Sequence, residues 1–226
     1  MKGEKEFVGS INNTMKIRMK LTGNNNKIEG TYFYEKIGKN LKLNGAMRDE
    51  SEFYLNESDE QGKKTGIFEG GFISEDWIEG IWVPGQDKKS MTFSAWNPNG
   101  RDVPTTDAND KITGQYKRVD DQGKADRHSA VFNVWLLKSG RVRVQGYASW
   151  VGNAETGNVN AGSVDGIFDL KNNRVAYRGA DSDDTCRFTA LFGADALTVS
   201  DDNGECGGHN VIFNGKYRKV GPPKFD

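Results

Sequence analysis

Residues 15–34, with the sequence MKIRMKLTGNNNKIEGTYFY, decide how this chain folds. Apolar residues in the first half alternate with Lys and Arg: Met15, Ile17, Met19 and Leu21. Asn24, Asn25 and Asn26 interrupt the pattern, which resumes at Ile28. Alternation with a period of two is typical of a strand with one buried face, and asparagine favours turns. The segment therefore predicts an antiparallel β-hairpin.

The same alternation of apolar and polar residues covers most of the chain and is interrupted by one long segment. Between residues 98 and 110 it gives way to breaker residues, among them Pro98, Gly100 and Pro104. On each side, turn signals separate about eight short strands, and Asn172-Asn173 predicts one further hairpin. No helical periodicity of useful length is present. We therefore predict an all-β chain with two tandem antiparallel domains at 1–97 and 111–220, a linker at 98–110 and a tail at 221–226.

Sequential antiparallel strands close most simply as an up-and-down barrel, because closure leaves no unpaired edge. We therefore expect two barrels of the lipocalin or avidin type in preference to two sandwiches. The halves also share a layout, since each begins with a short strand that contains glycine, at Gly9 and at Gly114. Duplication of one ancestral domain is a hypothesis that fits this layout.

Charge and composition exclude several classes of partner. The 31 basic and 32 acidic residues give a net charge of −1, so no nucleic-acid partner is expected. No apolar run of about 18 residues is present, so no transmembrane segment is expected. Two histidines and two cysteines at unfamiliar spacing predict no metal site, and we expect no cofactor. Acidic turns at 181–184 and 201–205 would suit calcium, although Asp, Asn and Gly are also ordinary turn residues.

The two cysteines, Cys186 and Cys206, lie close together in the second half and predict one disulfide, with two free thiols as the alternative. A disulfide implies an oxidising compartment, so we expect a periplasmic or secreted protein. Residues 1–6 lack the apolar core of a signal peptide, so this location implies that such a segment has been removed.

Candidate binding residues fall in two places. Trp150 precedes a polar stretch at 151–162 that is longer than a hairpin needs, and long loops on β scaffolds concentrate binding residues. We therefore predict a binding loop there, joined by the histidine of a glycine-rich turn, with these residues: Trp150, Asn153, Asn158, Asn160 and His209. Trp77 and Trp82 in the first domain are the second candidates, with core packing as the alternative for both.

No catalytic residues are predicted. Acyl transfer requires a nucleophile with a positioned base, and only His128 and His209 are available as imidazole bases. His128 is interpreted as a surface residue. Glycoside hydrolysis requires a carboxylate pair, and no pair stands out among the 32 acids. We therefore expect a protein that is not an enzyme.

The segment at 186–217 contains Cys186-Arg187-Phe188, then Cys206-Gly207-Gly208-His209-Asn210-Val211, then Phe213-Asn214-Gly215-Lys216-Tyr217. It resembles the closing segment of small secreted β domains of Gram-negative bacteria, some of which accompany lysozyme-inhibitor-type modules. The resemblance covers about thirty residues and implies an envelope location. It transfers no catalytic or inhibitory residue to this chain.

These observations lead to one functional expectation and two alternatives. We expect a noncatalytic bacterial envelope protein that presents loops to a protein or glycan partner, as an inhibitor or immunity protein against a cell-wall enzyme or a toxin. The first alternative is a small-ligand carrier of the lipocalin or avidin type, which would need an interior cavity of several hundred Å³. The second is a hydrolase with an unrecognised carboxylate pair.

Overall fold

A computed structural model describes residues 3–85, 89–119, 128–153, 155–179 and 185–225. These ranges hold sixteen strands and no helix. The prediction of an all-β chain with two antiparallel barrel domains is confirmed. No helix able to cross a bilayer is found in the described ranges.

The chain divides into two compact units. The first runs to Val103 and also includes Phe225, and the second runs from Pro104 to Lys224. The division falls inside the segment predicted as a linker, yet Val103 is fully buried and Pro104 forms a backbone bridge with Leu137. The segment predicted as a tail also makes contacts, because the last strand runs to Gly221 and Phe225 packs against tryptophan rings.

The first unit is a closed barrel in which each strand pairs with the next along the chain, and β1 pairs with β8. Closure is seen in the antiparallel pairing of Gly9 with Ala95 and of Ile11 with Phe93. The eight strands are β1 (Gly3–Ile11), β2 (Met15–Asn24), β3 (Lys27–Tyr34), β4 (Leu41–Met47), β5 (Glu52–Ser58), β6 (Lys64–Ser74), β7 (Trp77–Pro84) and β8 (Met91–Trp96).

The hairpin that the sequence predicts at 15–34 forms as β2 and β3. Met19 lies opposite Tyr32, and Leu21 lies opposite Gly30. Asn25 has a φ of 53°, a left-handed conformation that asparagine tolerates better than most residues. The apolar side chains of the alternating pattern point into the barrel, where Met19 and Leu21 are buried.

Aromatic rings fill the interior of the first barrel. The ring of Phe68 packs edge-on against Tyr32 at 5.2 Å and against Phe93 at 5.1 Å, and Phe93 in turn lies 6.4 Å from Phe53. Interlocked rings of this kind form a close-packed core.

In the second unit each strand also lies beside its neighbour in the chain, but within its described residues no backbone pairing closes the sheet. Its order is β12-β11-β10-β9-β16-β15-β14-β13, so two four-strand meanders meet where β9 pairs with β16. The strands are β9 (Gly114–Arg118), β10 (His128–Leu136), β11 (Arg141–Asn153), β12 (Asn158–Asp169), β13 (Arg174–Arg178), β14 (Arg187–Phe192), β15 (Ala196–Ser200) and β16 (Gly215–Gly221).

The hairpin predicted at Asn172-Asn173 forms only at its turn. Both asparagines have positive φ values, 51° and 58°, as a tight hairpin turn requires. Within the described residues, however, β12 and β13 are not paired as a ladder and lie at the two ends of the sheet order. Across this seam the rings of Phe168 and Tyr177 pack 4.8 Å apart, so contact between side chains replaces backbone pairing.

Rings also fill the second barrel, and a disulfide closes one of its loops. Phe132 contacts Phe213 at 5.4 Å and Tyr217 at 5.1 Å. Cys186 and Cys206 are bonded with an S–S distance of 2.07 Å. The predicted disulfide is confirmed, and the alternative of two free thiols is wrong.

Candidate functional site

The polar stretch at 151–162 is a hairpin, and the prediction of a long loop there is wrong. Strand β11 continues to Asn153 and β12 begins at Asn158, so the connection is a short turn that ends with Gly157 at a φ of 71°. Ala154 lies outside the described residues. Apolar and small residues still alternate through the stretch, which is why Val159 can pair with Val151 in the ladder.

Trp150 is half-buried and packs against the core of the second barrel. Its ring lies over Gly152, next to a register shift in the ladder between Val151 and Asn153. A Cβ at Gly152 would overlap the indole, so the glycine leaves room for the ring. Trp150 therefore serves as a packed base for the hairpin as well as a partly exposed aromatic surface.

His209 comes together with the hairpin through its backbone. The side-chain amide of Asn160 donates a hydrogen bond to the carbonyl oxygen of His209 at 2.9 Å. One residue further, the N–H of Gly208 donates to the carbonyl of Ala161 at 3.0 Å. The segment that follows Cys206 is thus hydrogen-bonded to β12, and the disulfide ties the same segment to the start of β14.

Most of the sequence-predicted residues therefore share one surface. Asn158 and His209 are exposed, and Asn160 is half-exposed between them in the fold. Asn153 is also exposed, but its Oδ1 accepts the N–H of Glu155 at 2.9 Å and shapes the turn. We call this group, Trp150, Asn153, Asn158, Asn160 and His209, the hairpin site.

Two exposed side chains near the hairpin site were not predicted. Val159 is 48% exposed and Tyr147 is 49% exposed. The ladder pairs Val159 with Val151 and Tyr147 with Ser163, which places both residues on the face of the hairpin opposite to Trp150. The period of two within each strand was the signal that would have found them.

The second pair of candidates, Trp77 and Trp82, lies in packed surroundings. Trp77 is fully buried, and its indole N–H donates to the hydroxyl of Ser94 at 2.8 Å. The Trp77 ring packs against Trp96 at 6.0 Å and against Phe225 at 6.2 Å. Trp82 is 9% exposed and points into the first barrel. The placement of both residues corresponds to the alternative of core packing.

Trp82 belongs to a hydrogen-bonded cluster with Glu57, Tyr32 and Tyr34 that the sequence did not predict. Its indole N–H donates to Oε2 of Glu57 at 2.7 Å, and the hydroxyl of Tyr32 donates to the same oxygen at 2.5 Å. Glu57 is only 2% exposed. Phe53, Leu55 and Glu57 alternate along β5 and all face the barrel interior. An acidic residue at a position where the alternation predicts an apolar one was therefore the sequence signal for this cluster.

Electrostatics keep the phenols of this cluster protonated. Burial raises the pKa of Tyr32 far above its ordinary value, and the negative charge of Glu57 adds to the effect. Burial also raises the pKa of Tyr34, whose hydroxyl lies 3.3 Å from that of Tyr32. Because the single proton of Tyr32 is donated to Glu57, Tyr34 is the donor in the second bond. The hydrogen bonds thus run from Tyr34 through Tyr32 to the carboxylate.

Space for the carboxylate comes from Gly66 on the neighbouring strand β6. A Cβ at Gly66 would lie 2.8 Å from the indole nitrogen of Trp82 and 3.2 Å from Oε2 of Glu57. Any larger side chain at this position would press on both partners of the hydrogen bond.

Of the two acidic turns, only the one at 201–205 lies in the described residues, and its groups are used within the loop. The turn at 181–184 lies outside the described residues. In the turn at 201–205, the carboxylate of Asp202 accepts the backbone N–H groups of Gly204 and Phe213, and Asn203 bonds the backbone of Thr185. These groups shape the loop. Across the described ranges, no group of three or more His, Cys, Asp or Glu side chains is arranged to hold a metal ion.

No protein-family model, curated protein or solved structure matches this chain. The resemblance of residues 186–217 to small secreted β domains therefore remains a prediction.

Proposed function

We propose that this chain is a noncatalytic binding protein of the bacterial envelope, and that it contacts a protein partner through the hairpin site. The observation that carries the proposal is the hydrogen bond from Asn160 to the carbonyl of His209. It joins residues 49 positions apart into one surface of amides, an imidazole and a tryptophan edge. Aromatic side chains mixed with polar groups are typical of protein interfaces.

A protein partner is favoured over a glycan by the apolar side chains on the other face of the hairpin. Val159 and Tyr147 are both about half exposed. A partner that covers this face would bury both side chains, and their burial would add to the hydrogen bonds of the amides.

The hairpin also lowers the conformational entropy that this segment is expected to lose when it binds a partner. A mobile loop of this length would lose much conformational entropy when it binds. A hydrogen-bonded hairpin, anchored to the Gly208 backbone, has already lost most of it. A preorganised surface of this kind suits a tight inhibitor or immunity protein against a cell-wall enzyme or a toxin.

A carrier with a large interior cavity is disfavoured because rings fill both barrels. Phe68 and Phe93 occupy the first, and Phe132 and Phe213 occupy the second. The disulfide supports an oxidising compartment, and on that ground we assign the protein to the periplasm or the exterior.

The proposal is tested by photocrosslinking in an envelope extract from a Gram-negative bacterium. One photoreactive residue replaces Val159, and the matched control replaces Leu191, an aliphatic residue of the same unit that is 43% exposed. We expect a discrete protein adduct from position 159 only. The partner is then purified. It should bind the Asn160→Ala variant at least about tenfold more weakly than the wild type, because the substitution removes the bond that joins the His209 segment to the hairpin. Asn44→Ala, an exposed asparagine of the first barrel, should bind unchanged.

Equal adducts from positions 159 and 191, or unchanged binding by Asn160→Ala, would contradict the proposal. Cosedimentation with purified peptidoglycan, abolished by Asn160→Ala and without any protein adduct, would replace the protein partner with a glycan.

A further inference from the structure

The first barrel contains a buried carboxylate with an unused oxygen. Both hydrogen bonds to Glu57, from Tyr32 and Trp82, end on Oε2. Within the described residues, Oε1 receives no hydrogen bond, and the residue as a whole is only 2% exposed. Oε1 is not among the fully buried atoms that lack a partner, so the small exposed area reaches this oxygen. An ionised carboxylate usually has several hydrogen-bond donors, so Oε1 has the capacity to accept at least one more.

No cation in the described part of the chain compensates this charge. The ion pairs found there join other residues, and none includes Glu57. Removing a carboxylate from water is unfavourable unless an opposite charge or full hydrogen bonding replaces the water. The two neutral donors, both on Oε2, replace only part of the hydration that the Glu57 carboxylate loses.

Aromatic rings surround the carboxylate. Tyr34 packs edge-on against Trp82 with ring centroids 6.5 Å apart, and against Tyr32 at 5.5 Å. The ring of Phe68 is tilted against that of Trp82, with centroids 6.3 Å apart. The faces of Trp and Tyr rings attract cations, and a carboxylate among such rings is the combination that recognises an ammonium group.

An open cavity at one end of the barrel reaches Tyr34 of the cluster but not Glu57, so a ligand would enter by displacing the Tyr34 ring. Tyr34 is half-buried and lines an open cavity of about 760 Å³, together with Thr14, Met15, Lys16, Glu35, Lys36 and Ile37. Half-buried Leu41 and Met91 begin the neighbouring strands at the same end. Methionine side chains adapt readily, so Met15 and Met91 can move aside with the ring of Tyr34.

We propose that this end of the first barrel binds a small organic ligand through its ammonium group, which Oε1 of Glu57 accepts between the rings of Tyr34 and Trp82. The one acid that lines the cavity, Glu35, is paired with Arg18 at 2.9 Å, so Lys16 and Lys36 oppose a polycation and favour a ligand whose far end is acidic. The ligand class is therefore a short zwitterion, with the ammonium group inward and a carboxylate outward. This site is in the other unit from the hairpin site, and its test is independent of the proposed function.

The test uses 5-aminopentanoate, with pentanoate as a matched probe that lacks the ammonium group. The readout is the indole N–H signal of Trp82 in the NMR spectrum of the isotope-labelled wild-type chain, assigned with Trp82→Phe. We expect 5-aminopentanoate to shift this signal saturably at millimolar concentration and pentanoate to leave it in place. n-Butylamine, a cation without the acid, should bind more weakly than 5-aminopentanoate.

Two variants then locate the site. Glu57→Gln keeps an acceptor for Tyr32 and Trp82 but removes the charge, and it should weaken 5-aminopentanoate binding by about tenfold or more. Glu29→Gln, an exposed acid on the outer face of β3, should leave binding unchanged. The proposal is overturned if the wild-type signal does not move, if pentanoate moves it equally, or if Glu29→Gln and Glu57→Gln weaken binding alike. The wild-type spectra decide the question even if Glu57→Gln does not fold.

Discussion

Gly162 of β12 lies backbone to backbone against Gly207. A Cβ placed on Gly207 would come within 2.7 Å of the Cα of Gly162, a separation that real side chains do not reach. The absence of both side chains lets the segment after Cys206 approach β12 closely enough for the N–H of Gly208 to reach the carbonyl of Ala161. The hairpin site depends on this approach.

Substitution of Gly162 by Ala should therefore separate the two segments. We expect the free energy of unfolding of the second unit to fall by about 1–3 kcal/mol, the usual range for an overpacked site. The hydrogen-bonded amide of Gly208 should also lose protection against hydrogen–deuterium exchange. Gly193→Ala is the matched control, because a Cβ there meets only ordinary contacts at 3.6 and 3.8 Å. Equal effects of the two substitutions would show that the close approach does not matter.

The disulfide should stabilise the second unit selectively. A bond that spans 20 residues is worth about 3 kcal/mol on the chain-entropy model. The Cys186→Ala/Cys206→Ala double variant should unfold at lower urea, with faster amide exchange in the second unit only. Thiol labelling of the unreduced, denatured wild-type chain should find no free thiol. Two labelled thiols, or an equal loss of protection in the first unit, would contradict this.

Both barrels should lose stability at alkaline pH. Burial raises the pKa values of Tyr32, Tyr116 and Tyr217 above the ordinary value. In the unfolded chain these phenols ionise near pH 10, so their contribution is fully present below that pH and is lost as the pH rises. Each tyrosine should lower the free energy of unfolding by about 1.4 kcal/mol per pH unit above pH 10.

Urea unfolding followed across this alkaline range measures the slope, and phenolate absorbance of the folded chain provides a check. The Tyr116→Phe variant should show a shallower slope because one ionisable group is removed. If the buried tyrosines ionise in the folded chain near pH 10, the raised pKa values are wrong.

Phe225 should contribute to the first barrel. Its ring packs against Trp77 and Trp96, and its carbonyl oxygen accepts the hydroxyl of Thr92 at 3.2 Å. We expect Phe225→Ala to destabilise the first unit by about 1–2 kcal/mol, since the ring is only partly buried. Tryptophan emission should shift to longer wavelength as Trp77 gains solvent. Val220→Ala, an exposed apolar substitution nearby in sequence, should have neither effect.

The barrels could be predicted from the sequence because the alternation of apolar and polar residues and the turn residues are both visible within short segments. Met19 and Leu21 face inward on the same parity that defines the strand, and Asn25 marks the turn. The open seam could not be predicted, because Asn172 and Asn173 form the expected turn whether or not the strands beyond it pair. Pairing beyond the turn depends on the packing of the whole barrel, and here the rings of Phe168 and Tyr177 lie in contact across the seam.

The sites were harder to predict for two different reasons. Asn158 and Asn160 were found as candidates but assigned to a loop, because asparagine and glycine favour turns even where a ladder holds them in a strand. Glu57 was missed because its partners, Tyr32 and Trp82, each lie 25 residues away. Only the register of a closed barrel brings them to the same oxygen.

The place of Phe225 in the first unit gives the chain an order of assembly during synthesis. All eight strands of the first barrel leave the ribosome before residue 104, so the barrel can close early. The indole of Trp77 meets the ring of Phe225 only after the second unit has been synthesised. Synthesis that stalls within the second unit would therefore leave a closed first barrel in which Trp77 lacks this contact, and the newly exposed indole would distinguish such a chain from one that has reached Phe225.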